Sequence, residues 1–108
     1  MAIAEVNYAD ITADGDTSWV ASPAGGCVVA VDSVDSDGNS AAWGSATASL
    51  LYSPDGSMRT AVSENGTDIT GKSDGFSRVF RGIKGFFAIA GSGISSETLR
   101  IKTVPLSD

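Results

Sequence analysis

Hydrophobic and polar residues alternate with a period of two along much of the chain. In the segment 46–53, Ala48, Leu50 and Tyr52 fall on one side, and most of the remaining residues are polar. The segment 98–104 shows the same alternation, with Arg and Lys on its polar side. Successive side chains of a β-strand point to opposite faces, so this pattern predicts half-buried strands.

Turn-forming residues separate these runs at intervals of about 8 to 16 residues, the spacing typical of all-β domains. Gly, Pro, Asn and Asp cluster at 14–15, 23–26, 37–39, 54–56, 65–66, 74–75 and 91–93. No helical period lies between the clusters. The sequence therefore predicts an all-β fold, namely a compact antiparallel β-sandwich, jelly-roll or immunoglobulin-like, with about seven to nine short strands.

The predicted strands are 5–11, 17–21, 26–33, 46–53, 58–63, 76–81, 85–90 and 98–104, with a short segment at 68–70. The apolar run 26–33 predicts a central strand buried on both faces. Cys27 lies in it and is expected to be a buried small hydrophobic residue, the alternative being a reactive thiol. Pro105 lacks a backbone donor and is expected to end the last strand.

The length of 108 residues predicts a single domain, 1–108, with a short N-terminal arm at about 1–7 and a C-terminal tail at about 105–108. Leu, Ile, Val and Phe together number only 24 residues. This fraction is close to the lower limit for a chain that folds on a hydrophobic core. We therefore expect the isolated chain to be modestly stable or to self-associate.

The charge distribution is uneven along the chain. Residues 1–58 contain eight acids and no Lys or Arg, whereas 59–108 contain all seven basic residues. Folding would either mix these charges or leave them on opposite faces. The net charge of −6 and the scattered basic residues argue against a nucleic-acid partner. The N-terminus lacks the pattern of a secretory signal and no run is long enough for a membrane span, so we expect no membrane partner and synthesis in a cytoplasm.

The residues that usually carry catalysis are scarce. The chain has no His, which removes the commonest general base and metal ligand. The acidic segment 32–40 resembles the first half of a calcium loop, but Gly44 stands where a bidentate Glu is needed. We therefore predict a protein that is not an enzyme, with no catalytic residues, no metal site and no cofactor.

Four aromatic residues are candidates for carbohydrate stacking: Trp19, Trp43, Tyr8 and Tyr52. Trp19 and Tyr52 lie in predicted strands and are expected to be core residues. Trp43 lies in the long irregular segment 32–45, which is a candidate contact loop. The sequence leaves open whether Trp43 is exposed or fills a pocket between molecules.

Two stretches resemble small structural proteins of tailed bacteriophages, in particular β-sandwich capsid decoration (cement) proteins. The stretch 43–56 opens with Trp-Gly, continues with alternating Thr and apolar residues, and ends in a Ser-Pro-Asp-Gly turn. The stretch 82–102 contains Gly-Phe-Phe followed by Gly-Ser-Gly and a closing amphipathic strand. Residues 57–62 lack the tryptophan that the family pattern would place soon after the turn.

The resemblance implies a non-enzymatic virion structural protein, made in the host cytoplasm, that binds the outer capsid surface. It would stabilise contacts between major capsid protein subunits, and it would be a homo-oligomer, with a homotrimer favoured. The candidate partner-binding residues lie in the termini and the long loop: Ala2, Ile3, Trp43 and Leu106. The alternative is a phage tail or fibre domain that binds a host-surface glycan through exposed aromatic residues.

Overall fold

The computed structural model describes residues 7–106, and every regular element in that range is a β-strand. The strands are β1 (Asn7–Ile11), β2 (Gly15–Asp16), β3 (Val20–Ser22), β4 (Gly26–Val34), β5 (Thr47–Ser53), β6 (Thr60–Ala61), β7 (Ser63–Glu64), β8 (Thr67–Asp68), β9 (Phe76–Arg81), β10 (Gly85–Ser92) and β11 (Thr98–Pro105). The all-β prediction is confirmed. The strand count is eleven rather than seven to nine, because β2 forms where no strand was predicted and the predicted strand 58–63 is divided into β6 and β7.

Two antiparallel sheets form the sandwich. Sheet A has the strand order β1-β11-β4-β9. Sheet B has the order β2-β10-β5-β6, and β3 also pairs with β10. β7 and β8 form a separate two-stranded ladder. Both sheets contribute side chains to one hydrophobic core, which confirms the predicted sandwich.

Only the end of the predicted strand 17–21 forms a strand, β3, because a bulge separates it from β2, which lies before the predicted strand. Asp16 pairs with Ala90 and Val20 pairs with Phe87, so the β2–β3 side has one residue more than β10 between these pairs. Thr17 keeps this part of the chain hydrogen-bonded to β10. Its backbone N–H donates to the Ile89 carbonyl at 2.9 Å, and the Ile89 N–H donates to the Thr17 hydroxyl at 3.1 Å.

The predicted strand 58–63 is shortened by the turn that precedes it. One oxygen of the Asp55 carboxylate accepts hydrogen bonds from the backbone N–H groups of Ser57 and Met58 at 2.8 and 2.9 Å. These donors are therefore not available to a sheet ladder, and pairing with β5 begins at Thr60. The following hairpin, β7–β8, turns through Asn65 and Gly66, both with positive φ, as a tight two-residue turn requires.

Pro105 is the last residue of β11, so the strand ends at the proline as predicted. It lies opposite Cys27, and the next N–H, that of Leu106, donates to the Gly26 carbonyl. Residues that bond to β4 alternate along β11, so the position of the missing proline donor faces away from β4. The ladder between β11 and β4 therefore passes through Pro105 without losing a hydrogen bond.

The core is a single layer of side chains between the sheets. Phe87 is fully buried at its centre, with its ring centroid 4.7 Å from Phe80 and 5.4 Å from Tyr52. Leu50 and Ile89 from sheet B and Ile101 and Val29 from sheet A lie in the same layer. Their side chains are completely buried.

Hydrogen bonds also join the two sheets to each other. The buried Thr103 hydroxyl of β11 donates to the Ala21 carbonyl of β3 at 3.0 Å. Cys27 is buried as predicted, 3.5 Å from the Ser22 hydroxyl. Burial raises the pKa of the Cys27 thiol above its ordinary value, and this outweighs the hydrogen bond to Ser22, which lowers it.

We expect Phe87→Ala to lower the free energy of unfolding by about 3 to 5 kcal/mol, because it removes the largest side chain of the layer and leaves a cavity. Chemical denaturation measures this value. Phe86→Ala is the matched control, since Phe86 is the neighbouring residue and points to the opposite, half-buried side. Equal losses for the two variants would contradict a core centred on Phe87.

The Asp55 turn predicts a specific pH dependence. Hydrogen bonds from the N–H groups of Met58 and Ser57 lower the pKa of Asp55 below its ordinary value. Its contribution to stability is therefore present above the unfolded-state pKa, about 3.9, and is lost as the pH falls through the lower folded-state pKa. Denaturation of Asp55→Asn between about pH 2 and 6 is expected to show a shallower acid dependence than the wild type. Asp74→Asn is the control for the loss of one negative charge. If the free energy of unfolding of Asp55→Asn depended on pH as steeply as that of the wild type, the assignment of this pH dependence to Asp55 would be refuted.

Candidate interaction site

No other sheet packs on the outward-facing side of sheet A within the described residues, and the turn 36–40 covers only its upper part, where Ser40 bonds Asp32 and Gly38 lies beside Arg100. We call this side of sheet A the open face. Alternation along the strands places these residues on it: Tyr8 and Asp10 of β1; Arg100, Lys102 and Val104 of β11; Val28, Ala30, Asp32 and Val34 of β4; Ser77, Val79 and Arg81 of β9. All of them are half-buried or exposed. The prediction that β4 is buried on both faces is therefore wrong, because only the turn 36–40 packs on this side of the sheet and the outward residues of β4 stay half-buried.

The outer side of sheet B is covered. Leu51 and Ala88 point away from the core, yet only 4% and 1% of their surfaces are exposed. An ion pair crosses this side, because Arg59 next to β6 bonds Asp16 of β2 through both carboxylate oxygens, at 2.7 and 3.1 Å. The Asp16 hydrogen bond raises the pKa of Arg59, which remains charged.

A row of three valines runs across the open face. Val104, Val28 and Val79 lie directly opposite one another on β11, β4 and β9. Val79 is 55% exposed, and the other two are half-buried. The next outward row contains Lys102, Ala30 and Ser77, so small or flexible side chains border the valines. The result is a flat apolar strip on an otherwise polar domain.

An ion pair and an aromatic ring lie at one corner of the open face. The Arg100 guanidinium donates to both oxygens of Asp10 at 2.7 and 3.0 Å, and it lies 4.2 Å from the centre of the Tyr8 ring. The Asp10 hydrogen bond is the main cause that raises the pKa of Arg100. The three side chains fix one another, and Tyr8 remains 56% exposed.

Asp32 fixes the loop that follows β4. One of its oxygens accepts the Trp43 indole N–H at 2.9 Å and the Ser33 N–H at 2.8 Å. The other accepts the Ser40 hydroxyl. Trp43 is only 7% exposed, so its ring belongs to the interior of its own chain. The long segment 32–45 is thus tied back on the sandwich rather than projecting from it.

Charge is distributed unevenly between the two ends of the sandwich. The end at which β4 finishes, here called the upper end, carries the carboxylates of Asp14, Asp35, Asp37 and Glu97. The end at which β4 begins, the lower end, carries Arg81 and Lys84, with the Asp55 carboxylate. On the open face itself, Asp32 and Asp10 lie towards the upper end, whereas Lys102 and Arg81 lie below them. Among the described residues, neither Lys102 nor Arg81 forms an ion pair.

The residues predicted to bind a partner lie apart. Ala2 and Ile3 fall outside the described residues, and Trp43 is buried. Leu106 is half-buried at the lower end, where its N–H bonds the Gly26 carbonyl. Partner binding through these four residues stays a prediction.

The two aromatic residues predicted for the core differ in position. Trp19 lies between β2 and β3, half-buried and outside the core cluster, so the core prediction for it is wrong. Tyr52 is half-buried but packs against the core, with its hydroxyl bonded to the Lys84 carbonyl. The alternation in 98–104 already separated Arg100, Lys102 and Val104 from the core residues, whereas the alternation in 76–81 was ambiguous. Neither pattern showed which side of the sheet would stay uncovered.

This surface offers apolar, charged and aromatic side chains for contact with another molecule. An open cleft of about 160 Å³ lies over Asp32, Ser40 and Lys102. Within residues 7–106, no three His, Cys, Asp or Glu side chains are grouped so that they could hold a metal ion. No helix in that part of the chain is suited to crossing a membrane. Comparison with protein-family models, curated proteins and solved structures found no match to this chain.

We expect Trp43→Phe to lower the free energy of unfolding by about 1.5 to 3 kcal/mol, because it removes a hydrogen bond to the charged Asp32 carboxylate. Trp19→Phe, at a half-buried tryptophan with no such bond, is the matched control and is expected to cost less. Urea denaturation of both variants measures the difference. A larger loss for Trp19→Phe would show that the Trp43 bond does not hold the loop.

Proposed function

We propose that this chain is a non-enzymatic virion structural protein, a capsid decoration protein that binds the outer capsid surface and stabilises contacts between major capsid protein subunits. The observation that carries the proposal is the open face. A flat sheet surface with an apolar strip and unpaired basic groups is suited to contact with another protein, since it offers shape and charge without a deep pocket.

The position of the two family-like stretches supports the proposal. The stretch 43–56 contains β5 and the turn after it, and 82–102 contains β10 and most of β11. β5 and β10 pair with each other in sheet B, and β11 is a central strand of sheet A. The residues that resemble decoration proteins therefore make up the centre of the sandwich.

Binding to a capsid also suits the small core. A partner that binds only the folded chain stabilises it by mass action. A symmetric lattice presents the same site many times, and a homotrimer at a local threefold position would multiply weak contacts. The protein would reach this place in the virion after synthesis in the host cytoplasm.

A tail or fibre domain that binds host-surface glycan is the second candidate. One observation favours it, namely the exposed Tyr8 ring beside Asp10 and Arg100. Aromatic rings with neighbouring charged or amide groups are a common way to hold a sugar ring. Trp43 does not contribute to such a site in this structure because it is buried.

Co-sedimentation with purified capsids tests the proposal, at chain concentrations too low for self-association. We expect saturable binding at a fixed ratio to the major capsid protein. Lys102→Glu reverses a charge on the open face and is expected to weaken binding at least about tenfold. Lys84→Glu makes the same charge change in the β9–β10 turn and is expected to bind as the wild type does.

The glycan candidate predicts a different result in the same assay. Binding to host cells or to tail fractions but not to capsids, abolished by Tyr8→Ala, would replace the decoration role with adsorption. Equal capsid binding by Lys102→Glu and Lys84→Glu would keep a capsid role but would exclude the open face as the docking surface.

A further inference from the structure

We infer that Arg78 and Glu64 close the free edge of β9 to strands of other molecules, so that the chain does not pair with a second copy through this edge. The inference concerns the isolated chain and does not depend on the proposed function. Three features carry it: the backbone groups at the edge, the inward position of Arg78 and the hydrogen bonds that hold its guanidinium.

The backbone of β9 has one unpaired side. β9 is the last strand of sheet A, and no other described strand pairs with it beyond β4. The Gly82 N–H donates to the carbonyl of Gly25, just before β4, at 3.2 Å. Bonded residues alternate along an antiparallel ladder, so the N–H and C=O groups of Ser77, Val79 and Arg81 point away from β4. A row of such groups is a template for another strand.

The β9 strand of a second copy has the right pattern for this edge. An antiparallel pair centred on Val79 would place the two Val79 side chains next to each other and Ser77 opposite Arg81. No like charges would then lie opposite each other. About six backbone hydrogen bonds would form across the pair. Each Val79 side chain is 55% exposed and would be partly covered by the other. The backbone and the outward side chains of β9 therefore do not prevent self-pairing.

Arg78 is the residue that opposes this pairing. It lies on the core side of β9, between Phe76 and Phe80 and opposite the buried Val29. A charged side chain is tolerated in this position because β9 is an edge strand, and the side chain extends round the edge into water. A second β9 strand would place its own Phe80 opposite Arg78. The guanidinium would then be enclosed between apolar side chains, which is strongly unfavourable for a charge.

Hydrogen bonds hold the guanidinium at the edge. Its Nε and Nη2 donate to the two Glu64 carboxylate oxygens at 2.7 and 3.2 Å. Its Nη1 donates to the Ser77 carbonyl at 2.8 Å, and this carbonyl is one of the groups that a second strand would bond. The Arg78 side chain is 30% exposed, so its charge reaches water. Through Glu64, the β7–β8 hairpin also lies beside the edge.

Sedimentation velocity over about 5 to 500 µM tests the inference, a range suited to weak pairing. Arg78→Thr removes the inward charge and leaves a residue that suits a strand. We expect it to raise the association constant at least about tenfold above the wild-type value. Arg59→Thr is the matched control, since it removes the same charge from the exposed Arg59–Asp16 ion pair on sheet B. Its association constant should stay within about twofold of the wild-type value.

A second substitution shows whether the association uses the β9 backbone. Val79→Pro removes an outward N–H and leaves the bonds to β4 in place. Added to Arg78→Thr, it is expected to return the association constant to the wild-type value. Association of Arg78→Thr no stronger than that of the wild type, an equal rise in Arg59→Thr, or a rise that Val79→Pro does not reverse would each overturn the inference.

Amide hydrogen exchange of the wild-type chain gives a test that needs no variant. The outward N–H groups of Ser77, Val79 and Arg81 are expected to exchange fast at every concentration, because no strand covers them. The N–H groups of Arg78 and Phe80, which face β4, are the internal reference and should be protected. Protection of the Val79 N–H that rises with protein concentration would show that the wild-type edge already pairs, and would overturn the inference.

Discussion

The structure depends on one thin layer of apolar side chains between two sheets. Phe87 lies at its centre, against Phe80 and Tyr52, and Leu50 and Ile101 complete it from opposite sheets. The chain has only 24 Leu, Ile, Val and Phe residues, so most of this material is used to fill the layer. Few of these apolar residues remain for the outer sides of the sheets. Apolar residues that do lie there are either covered by polar side chains or left exposed to a partner.

The two outer sides meet this constraint differently. On sheet B, the Arg59–Asp16 ion pair crosses the strands, and Leu51 and Ala88 beneath are buried. On sheet A, the polar contacts are concentrated around Asp10, Arg100 and Asp32 at the upper end, and the valine row below them is uncovered. An uncovered apolar strip bordered by basic groups is the feature on which the proposed role in assembly rests.

Much of the fold follows from local pattern, because alternation and turn residues act over a few positions. The strand 76–81 and the turns at Pro54 and Asn65 are of this kind. The interruption before β3 at Thr17 and the late start of β6 after Asp55 were not predictable. Each depends on a side chain that accepts a hydrogen bond from a backbone N–H group in the folded chain. The same holds for the interaction site: Trp43 was a candidate because its loop is long, but the carboxylate of Asp32, eleven residues earlier, draws it inward. Alternation in 98–104 placed Val104 on the polar side of its strand, but the alternation around Val79 was ambiguous and Val28 was expected to be buried, so the sequence did not predict an open side.

The central claim is that the chain meets its neighbours through the open face of sheet A. Hydroxyl-radical footprinting with mass spectrometry tests it most directly, on the free dilute chain and on the assembled form. The account predicts that modification of Tyr8, Val79 and Val104 falls on assembly while modification of the equally exposed Met58 is unchanged. Protection of Met58 with no change at Val79 would show that the contact lies on the side of sheet B and would contradict the account.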